Sequence, residues 1–154
     1  MASCDAVGQL YLDSFGSGRI GVTTAANISA TGNAVITIPL LGGGLTNGGA
    51  IANSGGVIIR RITVQNPTGN VATANIAIST QSTGNVATAN AVVANVVLSN
   101  LTGPGTWQDL TIAGGFGANT AVSGNTTSAL YVNVNTANSN GTIDIRVYGD
   151  VVSF

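Results

Sequence analysis

The chain has 154 residues, a net charge of −1 and 6% charged side chains, with no histidine, lysine or glutamate. Their absence removes the usual general base, the usual amine nucleophile and the commonest metal ligand together. Four arginines without a lysine make no basic stripe for nucleic acid or an anionic membrane, so the composition argues against a conventional enzyme and against both of those partners.

At this length one domain is expected. The N-terminus, MASCDAVGQLYLDSFGSG, has no basic region followed by an apolar one, so no Sec signal peptide is expected, and synthesis in the cytosol without export is the simplest account. No run of about 18 apolar residues is present to form a membrane helix. An eight-stranded outer-membrane barrel would need aromatic girdles, which 5% aromatic residues do not supply. Cys4 has no second cysteine for an internal disulfide and no histidine or lysine to activate its thiol, so it is read as a terminal thiol without a role. Within residues 1–32 the apolar positions Val7, Leu10, Leu12, Ile20 and Val22 are interrupted by Gly16, Gly18 and Gly21. This pattern predicts an extended N-terminal arm with one or two short strands, followed by a domain over 33–154.

Ala34–Ile38 reads as a strand ended by Pro39. The glycine-dominated stretch from Leu41 to Gly56 reads as a loop; it lacks GxxxxGK[ST] and any lysine to reach a phosphate. Val57–Asn66 (VIIRRITVQN) is the strongest strand signal. Alternation puts Ile58, Arg60, Ile62 and Val64 on one side and Ile59, Arg61 and Thr63 on the other, so the adjacent arginines point to opposite faces unless a bulge intervenes. One arginine is then expected at the sandwich edge or against a neighbouring subunit; the alternative is two solvated side chains.

The octapeptide TGNVATAN occurs at Thr68–Asn75 and again at Thr83–Asn90, an offset of 15 residues. Thr-Gly-Asn is a turn signal, and Val-Ala-Thr-Ala reads as a strand start, so two strands entered through similar turns are predicted. Two copies fall short of a solenoid or of the flat threonine array of an ice-binding surface. Ala91–Asn100 reads as a buried strand, Thr102–Thr106 (TGPGT) as a turn, Trp107–Ile112 as a short strand with the only tryptophan, and Gly114–Asn125 as a glycine-rich loop.

In the last third, Leu130, Val132 and Val134 alternate with Tyr131, Asn133 and Asn135, and Ile143, Ile145 and Val147 alternate with Asp144, Arg146 and Tyr148. The intervening ANSNG predicts a hairpin in which the two apolar sets share one face, and Asp144 and Arg146 lie with Tyr131 and Asn133 on the polar side. Val151–Phe154 reads as a further hairpin-like tail.

About eight strands with glycine-rich connections predict an all-β fold, an antiparallel β-sandwich, most simply a jelly roll; an immunoglobulin-like sandwich is the alternative. A glycosidase-type carboxylate pair would have to come from Asp109, Asp144 or Asp150, which no pattern brings together. The aspartates are scattered singly, unlike a calcium loop, and no cofactor or metal is expected.

The C-terminal stretch ALYVNVNTANSNGTIDIRVYGDVVSF resembles the ending of small all-β virion proteins of tailed bacteriophages, with a Tyr-Val-x-Val strand, a polar turn and a final Asp-x-Arg-Val-Tyr-Gly-type strand. The resemblance covers that stretch together with a general likeness in composition. It implies a capsid decoration (cement) protein on the virion surface, oligomeric as a homotrimer and bound to the major capsid protein. A tail- or fibre-associated binding module, an extracellular adhesin and an ice-binding protein are the alternatives. The residues expected at interfaces are Leu10, Tyr11 and Leu12 in the arm, together with Arg19, Arg60, Arg61, Trp107 and Phe154.

Overall fold

The structure, a computed structural model, describes residues 18–40, 55–80, 91–113, 121–123, 129–139 and 141–153. The described residues form nine strands: β1 (Gly18–Asn27), β2 (Gly32–Pro39), β3 (Gly55–Gln65), β4 (Asn75–Ser79), β5 (Ala91–Val97), β6 (Trp107–Leu110), β7 (Ala121–Ser123), β8 (Ala129–Thr136) and β9 (Thr142–Ser153). They build two antiparallel sheets, ordered β1-β9-β3-β6 with β7 also on β3, and β2-β8-β4-β5. The protein is a β-sandwich. Leaving β7 aside, the first strand pairs with the last, the second with the second-last, the third with the third-last, and the middle two with each other.

The core between the sheets is aliphatic. Ile59, Ile62, Val64, Ile143, Ile145 and Val147 of the first sheet meet Ile36, Ile38, Ile76, Ile78, Val132 and Val134 of the second. Each such side chain contributes about 2 kcal/mol by leaving water, and β-branched residues suit a pleated surface, so alternation at period two is enough to drive these strands. In β9 every second residue from Ile143 to Gly149 is buried.

Several expectations are corrected. The predicted hairpin between 129–136 and 142–148 does not form: β8 and β9 belong to different sheets. The chain passes from one sheet to the other instead, and the described residues of this connection are held by Asn138 N–H donating to the Ile28 carbonyl at 3.0 Å and Ile28 N–H to the Gly141 carbonyl at 3.3 Å. The apolar sets of the two strands therefore meet across the core, and Tyr131 lies on the opposite outer face from Asp144 and Arg146. Alternation satisfies both arrangements equally, since each covers the same side chains.

Val71–Ala74 is a turn and not a strand start; Ala74 N–H donates to the Val71 carbonyl at 2.9 Å, and β4 begins at Asn75. The preceding turn signal holds, with Ala72 N–H donating to Asn70 Oδ1 at 3.0 Å. The second octapeptide, at 83–90, lies outside the described residues, as do 41–54 of the first glycine-rich stretch. Within the expected loop 114–125, β7 pairs with Gly56–Ile58 of β3. Residues 151–153 are no separate tail but the end of β9, paired with Gly55–Val57. Of the expected arm, 1–17 lie outside the described residues, and 18–27 are strand β1 on the edge of the first sheet. Ile20 and Ile28 belong to the core, so β1 is part of the sandwich.

Candidate interaction face

The site begins with one extra residue. Ile59 pairs with Gly149 and Arg61 with Tyr148, so Arg60 has no place in the ladder with β9 and forms a bulge. The bulge changes the phase of β3: Ile59 and Ile62 are 1% and 0% exposed, and both arginines between them project outward. The sequence-based set of Ile58, Ile62 and Val64 on one face is corrected accordingly, with Ile59 taking the place of Ile58. Ion pairs run to opposite neighbours. Arg60 Nε donates to Asp150 Oδ2 of β9 at 2.7 Å, and Arg61 Nε donates to Asp109 Oδ1 of β6 at 2.9 Å. Asp109 Oδ1 also accepts from Thr63 Oγ1 at 2.6 Å. At these exposures each pair contributes less than about 1 kcal/mol, so their effect is to fix orientation more than to stabilise the fold.

Around the bulge the sheet register gathers the remaining charges. Tyr148 faces Arg19 on β1 and Arg61 on β3, and Arg146, two residues along β9, projects to the same side. Three guanidinium-bearing positions thus surround one phenol ring. The next row runs Val22, Arg146, Thr63, Asp109, and beyond it Asp144, Gln65 and Trp107 lie side by side. Trp107 is 57% exposed at the sheet edge, whereas the next residue, Gln108, turns inward and ties β6 to the other sheet by donating Nε2–H to the Val97 carbonyl at 2.9 Å. Nε of Arg146 is buried and has no hydrogen-bond partner among the described residues.

Asp144, on the outward side of β9 with Arg146, bonds to neither arginine nor its own strand but to two other segments. Its Oδ1 accepts from Ala25 N–H at 2.9 Å and its Oδ2 from Asn66 Nδ2 at 3.0 Å. Both donors belong to residues with φ near 50°, the left-handed region that costs an alanine about 1 kcal/mol or more. The carboxylate holds both neighbouring segments in these conformations. Asp144→Ala is expected to cost about 1–2 kcal/mol in thermal or urea unfolding, and less in an Ala25→Gly background, because glycine adopts this φ unaided. Equal losses in the two backgrounds would refute that role.

All four arginines and the three described aspartates therefore lie on the outward side of one sheet. The second sheet carries no charge. Its outward side presents Thr37, Tyr131, Asn75 and Asn135, with Asn135 Nδ2 donating to Asn95 Oδ1 at 2.8 Å across to β5. The threonines of the first octapeptide form no flat array. Thr68 Oγ1 accepts from Thr142 N–H at 3.0 Å, and Thr73 Oγ1 accepts from Asn138 Nδ2 at 3.1 Å.

Among the expected interface residues, Arg19, Arg60, Arg61 and Trp107 are brought onto the one charged face, while Leu10, Tyr11, Leu12 and Phe154 lie outside the described residues. The sequence reading missed Arg146 and Tyr148 as members of that face. Their alternation with Ile145 and Val147 was visible, but their neighbours in space were not. Among the described residues no three of His, Cys, Asp and Glu come together, and Asp109, Asp144 and Asp150 each accept from a different donor.

Comparison of the chain with protein-family models, curated proteins and solved structures finds no match.

Proposed function

We propose that this chain is a structural virion protein, a capsid decoration or cement protein that associates with its own copies, as a trimer, and bridges major capsid subunits of a tailed bacteriophage. The observation that carries this reading is the two-faced sandwich, with every described charge on one outer sheet face and an uncharged amide and hydroxyl face opposite. A plate of this kind suits simultaneous contact with two different surfaces. The uncharged face meets like copies without charge repulsion. The charged face, with its exposed tryptophan, offers the arginine and aromatic anchors that dominate protein interfaces.

The strand pairing supports the same reading. First with last, second with second-last, and so inward to the middle pair is the order produced when one long antiparallel ribbon is rolled up, which is the jelly roll of many capsid domains. The edges favour contact through faces over strand addition. Of the edge strands, β1, β2 and β5 carry register shifts, β2 ends on Pro39, and β6 is four residues long. An arm meeting a neighbour would therefore wrap over a face.

A cement protein binds the assembled lattice and not its free subunits, so it stabilises the shell by mass action. Re-addition of the protein to stripped particles is expected to raise their melting temperature and to restore one complement of protein per binding site. No shift at saturating protein, combined with glycan or cell binding by the free protein, would replace this reading with that of an adhesin.

A further inference from the structure

The chain leaves β3 through Asn66-Pro67-Thr68, and Asn66 combines two features. Its φ is 50°, in the left-handed region, although the ring of a following proline restricts a residue to extended backbone. Its side-chain Nδ2 donates to Asp144 Oδ2 at 3.0 Å, so an amide nitrogen is held against a carboxylate whose other oxygen is fixed by Ala25 N–H at 2.9 Å. We propose that Asn66 cleaves the chain at its own peptide bond to Pro67, with Asp144 as the base. This goes beyond the assembly reading and does not depend on it.

The chemistry follows from what proline lacks. An asparagine before any other residue closes a ring when the next backbone nitrogen attacks the side-chain carbonyl. Pro67 has no N–H to lose, so that route is shut. The five-membered ring left open to Asn66 forms the other way, by attack of Nδ2 on the Asn66 carbonyl carbon. The Nδ2–C bond forms and the C–N bond to Pro67 breaks. The proton leaving Nδ2 passes to Asp144 and ends on the Pro67 nitrogen, which departs as a secondary amine. Water then opens the succinimide at the new C-terminus and is the only reagent consumed. Nucleophile and carbonyl belong to one residue, and the base touches the nitrogen that must lose its proton. Cutting also frees Asn66 from the restriction imposed by the proline ring.

The flanking contacts decide what the cut does to the molecule. Asn66 N–H donates to the Thr106 carbonyl at 3.2 Å, and Thr68 N–H donates to the Thr142 carbonyl at 3.1 Å on the other side of the bond. β3 lies between β9 and β6, and Pro67 is buried while Asn66 is exposed to water. The pieces 1–66 and 67–154 therefore stay together as one sandwich.

The test is to hold the purified full-length protein near neutral pH for days and measure intact masses under denaturing conditions. Fragments 1–66 and 67–154 are expected, part of the first one water lighter as the succinimide, with the native size unchanged. Asn66→Gly adopts the same φ unaided but has no side-chain nitrogen, so it should stay whole. Asp144→Asn keeps the shape and an acceptor for Nδ2, so it should fold yet cut about a hundredfold more slowly. A wild type that remains intact overturns the inference. So does cutting at the wild-type rate in Asp144→Asn or in urea-unfolded wild type, because the folded site then contributes nothing. A cut in Asn66→Gly overturns it too, as the mark of a contaminating protease.

Discussion

Gly149→Ala is expected to destabilise the fold by about 3 kcal/mol, lowering the melting temperature by about 10 °C. A Cβ at this position would overlap the Ile58 carbonyl oxygen, and would lie 3.0 Å from the Ile58 carbonyl carbon and 3.1 Å from Ile20 Cδ1. The main obstacle is backbone, so no rotamer change can make room. β9 must move away from β3 in the middle of their ladder, beside the bulge that turns both arginines outward. The same substitution should therefore reduce attachment to shells more than its stability cost alone predicts. Gly103→Ala is the control, because a Cβ there has nothing within 4 Å, and it should leave the melting temperature unchanged. Equal melting curves for the two variants would mean that β3 and β9 do not approach as closely as described.

The second large effect separates two neighbouring isoleucines. Ile59→Ala should cost about 3 kcal/mol in urea unfolding, since Ile59 is fully packed in the core, whereas Ile58→Ala should cost less than about 1 kcal/mol at its half-buried position on the outer side. Regular alternation through Val57–Gln65 makes the opposite forecast, putting Ile58 in the core with Ile62 and Val64. The comparison therefore reads out the bulge at Arg60. If Ile58→Ala proves the costlier change, the two arginines point to opposite faces and the charged surface comes apart.

Gly149 and Arg60 also mark the limit of what could be read from the residues in order. The alternation of TIDIRVY identified a strand with Asp144, Arg146 and Tyr148 on its polar side, and that assignment agrees with the burial pattern of β9. It could not say that Arg19 and Arg61 would flank Tyr148, because those partners come from strands 40 residues or more distant in the chain. The arginine pair of β3 was recognisable as a place where a bulge would matter. That one exists, beside the close approach of Gly149 to Ile58, is visible only in the folded ladder.

The hairpin expected between residues 129–136 and 142–148 failed for a related reason. A five-residue polar connection serves a tight hairpin within one sheet or an arch between two. Here the connection is tied to Ile28, whose carbonyl accepts from Asn138 N–H and whose N–H donates to the Gly141 carbonyl. Asp144 likewise read only as a polar-side residue of its strand. In the fold it holds Ala25 and Asn66, residues of two other segments.

By itself, then, the sequence determined that this is an all-β sandwich and where most strands lie, and it holds no histidine, lysine or glutamate. An alternating aliphatic strand must have one side covered, and that requirement is written in the residues themselves. Tertiary structure alone decided which strands share a sheet, where β3 changes phase, and that all the described charges gather on one face. Covering a strand stabilises it equally whether the cover is an adjacent hairpin or an opposing sheet, so only the competition among whole arrangements selects between them.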